Sequence, residues 1–206
     1  MGSSSAARIM MLALAAGAPL PHAHRPRRAF PFPAFTAEMI TASPVASPVR
    51  VRIYRARDRL RVDLPQGGYQ IFELKSRRAY RIAPGGRCAA IAFRPPPGAE
   101  PFVVRGQLQR KRTGTVRRNG QSIAAEQITV RGRRGRHVFV AWVAGDGFPL
   151  RVQMVTPAGP LEVLYRQVRL VAPAASLLRL PASCGRAAKT AAASANRETA
   201  RSPGQR

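Results

Sequence analysis

Hydrophobic and polar positions alternate strictly along residues 49–64. Val51 and Ile53, and after a turn Leu60 and Val62, fall on one side of an extended chain, and the residues between them are mostly charged. Because successive side chains of a strand point to opposite faces, the pattern predicts two β-strands with one apolar face and one wet, cationic face. The pattern recurs further on, which favours a curved antiparallel sheet around an apolar interior over an α/β fold.

The same alternation predicts the rest of the sheet, with strands at residues 35–41, 69–74, 79–82, 88–93, 123–131, 136–143, 148–155 and 161–171. The clearest hairpin turns at Asp146-Gly147, a pair that supplies the positive φ angles of a tight hairpin turn. Residues 138–143 are apolar on both faces, which is typical of a central strand. The apolar phase slips at Tyr165-Arg166 and predicts a bulge there.

Two segments do not fit a strand pattern. Four prolines exclude regular structure from residues 94–101. Residues 102–112 are the one candidate helix, of one to two turns. The predicted fold class is therefore mainly β, with little helix.

The first 23 residues are typical of a secretory signal, with Arg8 before an apolar stretch that is too short to span a bilayer and a cleavage site after Ala23. The alternative is a buried N-terminal helix. We expect a basic, proline-rich lead-in over residues 24–34, a β domain over 35–184 and a disordered tail over 185–206. Export would place the protein in the periplasm or outside the cell, and no second apolar run is present that could anchor the mature chain in a membrane.

The chain has two cysteines, Cys88 and Cys184. In an exported protein such a pair favours a disulfide, which here would close a loop of about a hundred residues. The alternative is two unrelated thiols. Their separation does not fit a metal site.

The formal net charge is +26, and most of the basic residues are arginines. Such a surface attracts phosphates, anionic lipids or polyanions in a salt-dependent way. The candidate anion-binding residues lie at two predicted turns: Arg117, Arg118, Arg131, Arg133, Arg134 and Arg136. Two alternatives stay open. These turns are simply solvated loops, or the charge reflects a genomic base composition that also favours Ala, Pro and Gly.

Catalytic chemistry has no positive signal in the sequence. The nine acidic residues are scattered, and no close pair suggests a general acid and base. No nucleophile elbow, phosphate-binding loop or metal motif is present. His137, on a predicted strand, is more typical of a half-buried structural residue than of a ligand. We therefore expect a protein that is not an enzyme and that needs no cofactor or metal.

Several segments resemble a known family. Residues 142–151 (WVAGDGFPLR), 112–121 (RTGTVRRNGQ) and 177–182 (LLRLPA), together with the earlier VRIY, LRV and AYRIAP segments, resemble the motifs of a bacterial family of domains of unknown function. That family is related to the LolA-like periplasmic lipoprotein carriers. The resemblance spans roughly residues 35–184. It implies a half-open, strongly curved antiparallel sheet, an incomplete barrel whose hydrophobic concave face takes acyl chains in the carriers.

Three functions follow as hypotheses. The first is an exported, non-enzymatic protein that binds a lipid or a lipoprotein acyl chain in the concave face. The candidate residues for that face are Val51, Ile53, Leu60, Val62, Phe139, Trp142, Leu150, Val152 and Met154. The second is a binder of polyanions or nucleic acid. The leader argues against nucleic acid as the natural partner, because an exported protein does not routinely meet it. The third is an envelope scaffold with no small ligand. Expected partners are a lipid, a lipoprotein or an anionic membrane surface.

Overall fold

The computed structural model describes residues 27–118, 120–132, 135–157 and 159–185. These residues form one antiparallel sheet of twelve strands. The strands are β1 Arg27–Arg28, β2 Ala34–Ser43, β3 Ala46–Ala56, β4 Arg59–Asp63, β5 Tyr69–Glu73, β6 Arg78–Ile82, β7 Cys88–Ile91, β8 Arg105–Arg118, β9 Gln121–Gly132, β10 Gly135–Val143, β11 Pro149–Thr156 and β12 Gly159–Arg169. The short 3₁₀ helices are Glu100–Phe102 and Ala175–Leu178, and a single helical turn covers 182–185.

The sheet consists of two meanders joined edge to edge. Strands β2 to β7 form one and β8 to β12 the other, and the pairing of β12 with β2 joins them. The outermost strands, β1 and β7, do not pair with each other, so the sheet stays open. The predicted fold class, a mainly β, half-open antiparallel sheet with little helix, is confirmed.

Most strands present one buried face. Along β2 and β3 the buried residues alternate with more exposed ones, and Phe35, Met39 and Ile53 belong to the buried set. The same face of β10 and β11 buries Phe139 and Val152. We call this side of the sheet the inner face and the opposite side the outer face.

The hairpin turn and the bulge form where the sequence predicted them. Strands β10 and β11 are joined through Asp146 and Gly147, where Gly147 has a φ of +84° and the Asp146 carboxylate accepts a hydrogen bond from the Phe148 amide at 2.9 Å. The pairing of β12 with β2 shifts register between Arg166 and Arg169, and Gln167 has a φ of +49°. The break lies within a few residues of the predicted phase slip.

The predicted helix over residues 102–112 is wrong. Only Glu100–Phe102 forms a 3₁₀ turn, and the chain then enters β8, whose Leu108 pairs with Val130 of β9. The Gln-, Arg- and Lys-rich composition favours a helix locally, but pairing along almost the whole of β9 overrides that weak preference.

Two predicted segments fall wholly or mostly outside the described residues. The leader, residues 1–23, lies outside them, and so does the tail apart from Gly185. Of the lead-in predicted at 24–34, residues 27 and 28 form β1, and Ala29 and Phe30 are buried in the core. No helix within the described part of the chain is both long and apolar enough to cross a membrane.

Candidate functional site

The inner face is filled by protein side chains. The segment Ala29 to Phe32 and the proline-rich connection before β8 lie across it, and both contribute to the main core. Phe102, in the 3₁₀ turn, has its ring centroid 4.6 Å from that of Phe35, 5.5 Å from Phe148 and 5.4 Å from Tyr165. The proline-rich connection, together with Phe102 at the start of the predicted helix, therefore packs onto the inner face of the sheet.

Most residues predicted to bind an apolar ligand take part in this core. Six of them are at most 7% exposed: Ile53, Leu60, Val62, Phe139, Val152 and Met154. Val51 is half-buried against the same cluster. Trp142 and Leu150 are half-buried, and Trp142 faces outward, opposite Arg151 of β11. The set thus divides between a packed inner face and the outer face.

An apolar groove opens on the outer face instead. Its volume is about 750 Å³. Its walls come from β10 (Arg136, Val138, Val140), β11 (Gln153, Met154, Val155), β12 (Pro160, Leu161, Glu162) and the β2–β3 turn region (Ala42, Ser43, Pro44). Val138 and Val140 alternate with the buried Phe139 and Ala141, which places them on the outer face. We call this site the outer groove.

Only two of the predicted site residues line the outer groove, Met154 and Arg136. Its other apolar wall residues are not among the predicted site residues, although Val138 is 36% exposed and Val155 is 86% exposed. A signal for them was present in the sequence, because residues 138–143 are apolar at consecutive positions. That pattern predicts a central strand, and β10 does lie between β9 and β11, but one of its apolar faces is open.

Polar side chains surround the outer groove. The Glu162 carboxylate accepts hydrogen bonds from the Arg151 guanidinium and, at 3.1 Å, from Gln153. The Arg151 guanidinium also lies 4.5 Å from the centre of the Trp142 ring. Glu162 is therefore paired within the protein, and Arg136 forms no ion pair among the described residues.

The predicted arginines separate into two places. Arg136 of β10 stands directly opposite Arg131 of β9, and both are exposed on the outer face at the edge of the groove. Like charges at directly opposed positions of neighbouring strands repel each other. Arg117 is exposed near the far end of the β8–β9 hairpin, and the side chains of Arg118, Arg133 and Arg134 lie outside the described structure.

One arginine that the sequence did not single out lies in the core. Arg55 is 0% exposed and continues the inner-face series of Ile53. Its Nη1 donates a hydrogen bond to the Phe102 carbonyl at 2.7 Å. Burial, then the repulsion of Arg28 and Arg105, lowers the pKa of Arg55 to about 10, and Asp58 opposes this shift. The period-two pattern already placed residue 55 inside, two positions after Ile53.

Tyr165 is the other buried polar group at the centre of the inner face. Its hydroxyl donates a hydrogen bond to the Gly98 carbonyl at 2.5 Å and thereby ties β12 to the proline-rich connection. Complete burial raises the pKa of this phenol, so it stays protonated and remains a donor. Together with Arg55, Tyr165 fixes the chain segment that fills the inner face.

The predicted disulfide between Cys88 and Cys184 is confirmed, with a Cα–Cα distance of 5.1 Å. It attaches the C-terminal segment to β7. Cys184 belongs to a second, small core with Ile71, Tyr80 and Ile82, which are the outward-facing residues of β5 and β6. The outer face is thus covered here by the protein's own chain.

Groups of side chains that could bind a metal are absent from the described ranges, where no three His, Cys, Asp or Glu residues come together. His137 is half-buried and its Nδ1 lies 2.7 Å from a Glu100 carboxylate oxygen, which links β10 to the 3₁₀ turn.

Comparison with solved structures finds similarity to proteins of low sequence identity. A LolA superfamily protein from Nitrosomonas europaea is 12% identical with a TM-score of 0.39, and covers 73% of this chain and 91% of its own. A DUF1329 family protein from Desulfovibrio piger is 9% identical with a TM-score of 0.40 and the same two coverages, 73% and 91%. The lipoprotein LppX from Mycobacterium tuberculosis is 11% identical with a TM-score of 0.33, covering 66% of this chain and 86% of its own.

LolA-like proteins, to which the sequence motifs pointed, are thus among the solved structures that resemble this chain. No family model matches the sequence, and no curated protein matches it.

Proposed function

We propose that this protein is an exported, non-enzymatic binder of an anionic lipid or lipoprotein acyl chain, and that the chain lies in the outer groove. The observation that carries the proposal is an open apolar groove of about 750 Å³ beside two arginines, Arg131 and Arg136, that form no ion pair within the described residues. Its volume falls within the range of about 300–1,000 Å³ that is usual for small-molecule sites.

The groove walls are suited to hydrocarbon. Val138, Val140 and Val155 line it together with Pro160 and Met154. Contiguous exposed apolar surface with a polar rim marks a binding groove in a soluble protein. The concave inner face, where the resemblance places acyl chains, is occupied by Phe102 and its aromatic neighbours. An acyl chain therefore has free space on the outer face.

The head of the ligand would lie at Arg131 and Arg136. The two side chains are cross-strand partners on the outer face, and Arg136 is itself part of the groove wall. A carboxylate or phosphate between them would relieve their mutual repulsion and form charge-assisted hydrogen bonds. The favoured ligand is thus amphipathic, with one anionic end and one apolar chain.

A pair of valine variants tests the groove. Delipidated protein is titrated with a fluorescent long-chain fatty acid, and Val138→Asn is compared with Val116→Asn. Val116 is a strand valine outside the groove with a similar exposure, 48% against 36%. Because burial of a valine contributes about 1.5–3 kcal/mol, we expect at least about a tenfold rise in Kd for Val138→Asn alone.

The head-group contact is tested with a second pair. Arg136→Gln is expected to weaken binding of the fatty acid but not of the corresponding fatty alcohol, and Arg117→Gln is the control. No uptake of the probe by the wild type, or equal losses in both valine variants, would overturn the proposal. Protein that takes up no probe and no polyanion would favour an envelope scaffold.

Export is part of the proposal and rests on the leader and on the disulfide, since disulfides persist in oxidising compartments. Protein expressed with its own N-terminus and recovered from the periplasm should have the mass of a chain that begins near His24. That mass should be lower by two hydrogens, because the disulfide has formed. An uncleaved or reduced chain would contradict it.

Polyanion binding is the second candidate. It is favoured by the net charge of +26 and by β8, on which Lys111, Arg112 and Arg117 are exposed along an edge that β1 covers only at its first two residues. It predicts that the binding constant for heparin or nucleic acid falls steeply and log-linearly with salt. A flat salt profile would remove this candidate.

A further inference from the structure

The buried arginine Arg55 has more hydrogen-bond donors than the protein uses. It lies between Phe35 of β2 and Leu60 of β4 in the strand register, fully enclosed by the core. Nη1 donates to the Phe102 carbonyl at 2.7 Å, but Nε and Nη2 are buried without an acceptor in the described part of the chain. A guanidinium keeps its charge at neutral pH, so these donors are costly to leave unpaired.

A second arginine, Arg28, also has buried N–H donors without an acceptor among the described residues. These donors are its Nε and Nη2 atoms. Arg28 stands directly opposite Arg105 in the pairing of β1 with β8, so two like charges share one cross-strand position. Both charges are close enough to Arg55 for their repulsion to lower its pKa.

The protein's own counter-charge is insufficient here. Asp58 is the acidic group that acts on Arg28 and Arg55, and it forms no ion pair with either in the described residues. Three guanidinium groups thus face one carboxylate. Buried charges in proteins are normally paired, and the groups that pair best with a guanidinium are planar or tetrahedral oxyanions.

We propose that a small oxyanion of the carboxylate or phosphate class binds between Arg28, Arg55 and Arg105. It accepts the unpaired N–H groups of the buried Arg55 and the half-buried Arg28 and balances the excess positive charge. None of the three arginines lines the outer groove. The site is therefore separate from the proposed acyl site and stands without it.

The test compares the protein in chloride with the protein in inorganic phosphate at matched ionic strength. Thermal unfolding of the wild type should show a saturable rise in Tm of several degrees with phosphate, because a ligand of the folded state alone stabilises it. Arg28→Gln should raise the apparent Kd for phosphate at least tenfold. Arg117→Gln, an exposed arginine elsewhere, should leave it unchanged.

A second variant guards against misfolding. Arg55→Met keeps the length of the side chain and removes the charge, but it also removes the buried hydrogen bond to the Phe102 carbonyl. Without phosphate its Tm should therefore fall while unfolding stays cooperative, which shows that the variant is folded, and phosphate should add nothing. If phosphate stabilises the wild type no more than chloride does, or stabilises all three variants equally, the site does not exist and the effect is screening by salt.

A single-chain lysophospholipid distinguishes a free ion from a lipid head group. If it binds at least tenfold more tightly than phosphate, and Arg28→Gln and Val138→Asn both weaken it, one ligand occupies both sites, which would overturn the separate anion site and the placement of the head group at Arg131 and Arg136. If Val138→Asn leaves phosphate binding intact and the lipid gains nothing, the anion is a free ion. In the second case the anion site survives even where the acyl proposal fails.

Discussion

The two halves of the outer face of the sheet differ in how far the protein covers them. On β5 and β6 its apolar residues Ile71, Tyr80 and Ile82 are at most 4% exposed, because the C-terminal segment lies over them. On β10 and β11 the comparable residues Val138 and Val155 remain exposed and form the wall of the outer groove.

The cover is held by specific contacts. Arg59 and Arg61 of β4 donate hydrogen bonds, each at 3.1 Å, to the carbonyls of Leu178 and Leu177, and the disulfide at Cys184 attaches the end of the segment. Nothing in the described part of the chain covers the groove side. Where the protein supplies its own apolar cover the surface is core, and where it does not, the surface remains available to a ligand.

The largest effect expected is on the covered half. Replacing both Cys88 and Cys184 by Ser removes the crosslink over 96 residues, and the chain-entropy model gives a loss of about 4–5 kcal/mol in the free energy of unfolding. Loss of the disulfide would also release the C-terminal segment and thereby expose Ile71 and Tyr80. Chemical denaturation measures the first effect, and the stoichiometry of a fluorescent acyl probe measures the second.

A rise from one bound probe to two in the double Ser variant would show that both halves of the outer face bind the probe once the cover is released. If the stoichiometry stays at one while stability falls, the small core holds without the crosslink, and the contrast between the halves rests on packing alone. Val116→Asn in the same background is the control for probe binding at exposed valines.

Several features of the fold could be predicted from the sequence. The alternation around Ile53 and Leu60 gave the strands and their inner face, and the Asp146-Gly147 pair gave a hairpin, because both signals are local. The disulfide was open to prediction because only one pairing of two cysteines exists. These features depend on neighbours within a few residues or on a unique choice.

The remaining features depend on distant partners. The helix predicted over residues 102–112 is β8, since β9 supplies pairing that local propensity does not describe. No periodicity indicates that Phe102 fills the concave side or that Arg55 finds a carbonyl 47 residues away. The outer groove exists because one apolar face lacks a cover, and the sequence of β10 does not contain that information.

A smaller effect is expected at Arg61, which links the sheet to its cover. Its guanidinium lies 3.7 Å from the centre of the Tyr69 ring, and its Nε lies 2.7 Å from Asp63 Oδ1. The side chain is 16% exposed, so these contacts are only partly screened. Arg61→Gln should lower the free energy of unfolding by about 2 kcal/mol, because it loses the pairing with Asp63, the hydrogen bond to the Leu177 carbonyl and the cation–π contact with Tyr69.

Chemical denaturation of Arg61→Gln checks this value, and Arg117→Gln on the exposed hairpin should change stability by less than about 0.5 kcal/mol. Equal losses in the two variants would mean that the contacts between Arg61 and the cover contribute nothing to stability.

The smallest effect belongs to Arg151, the counterpart of Arg61 on the uncovered half. It too combines an aromatic ring, Trp142 at 4.5 Å, with a carboxylate, Glu162, but its side chain is 39% exposed. Solvent screens such pairs, so Arg151→Gln should reduce the free energy of unfolding by less than about 1 kcal/mol. It should nevertheless alter probe affinity, because it frees Glu162 in the groove wall beside the bound chain. A stability loss as large as that of Arg61→Gln would show that the groove side is as firmly held as the covered side, and the distinction between core and binding surface would then fail.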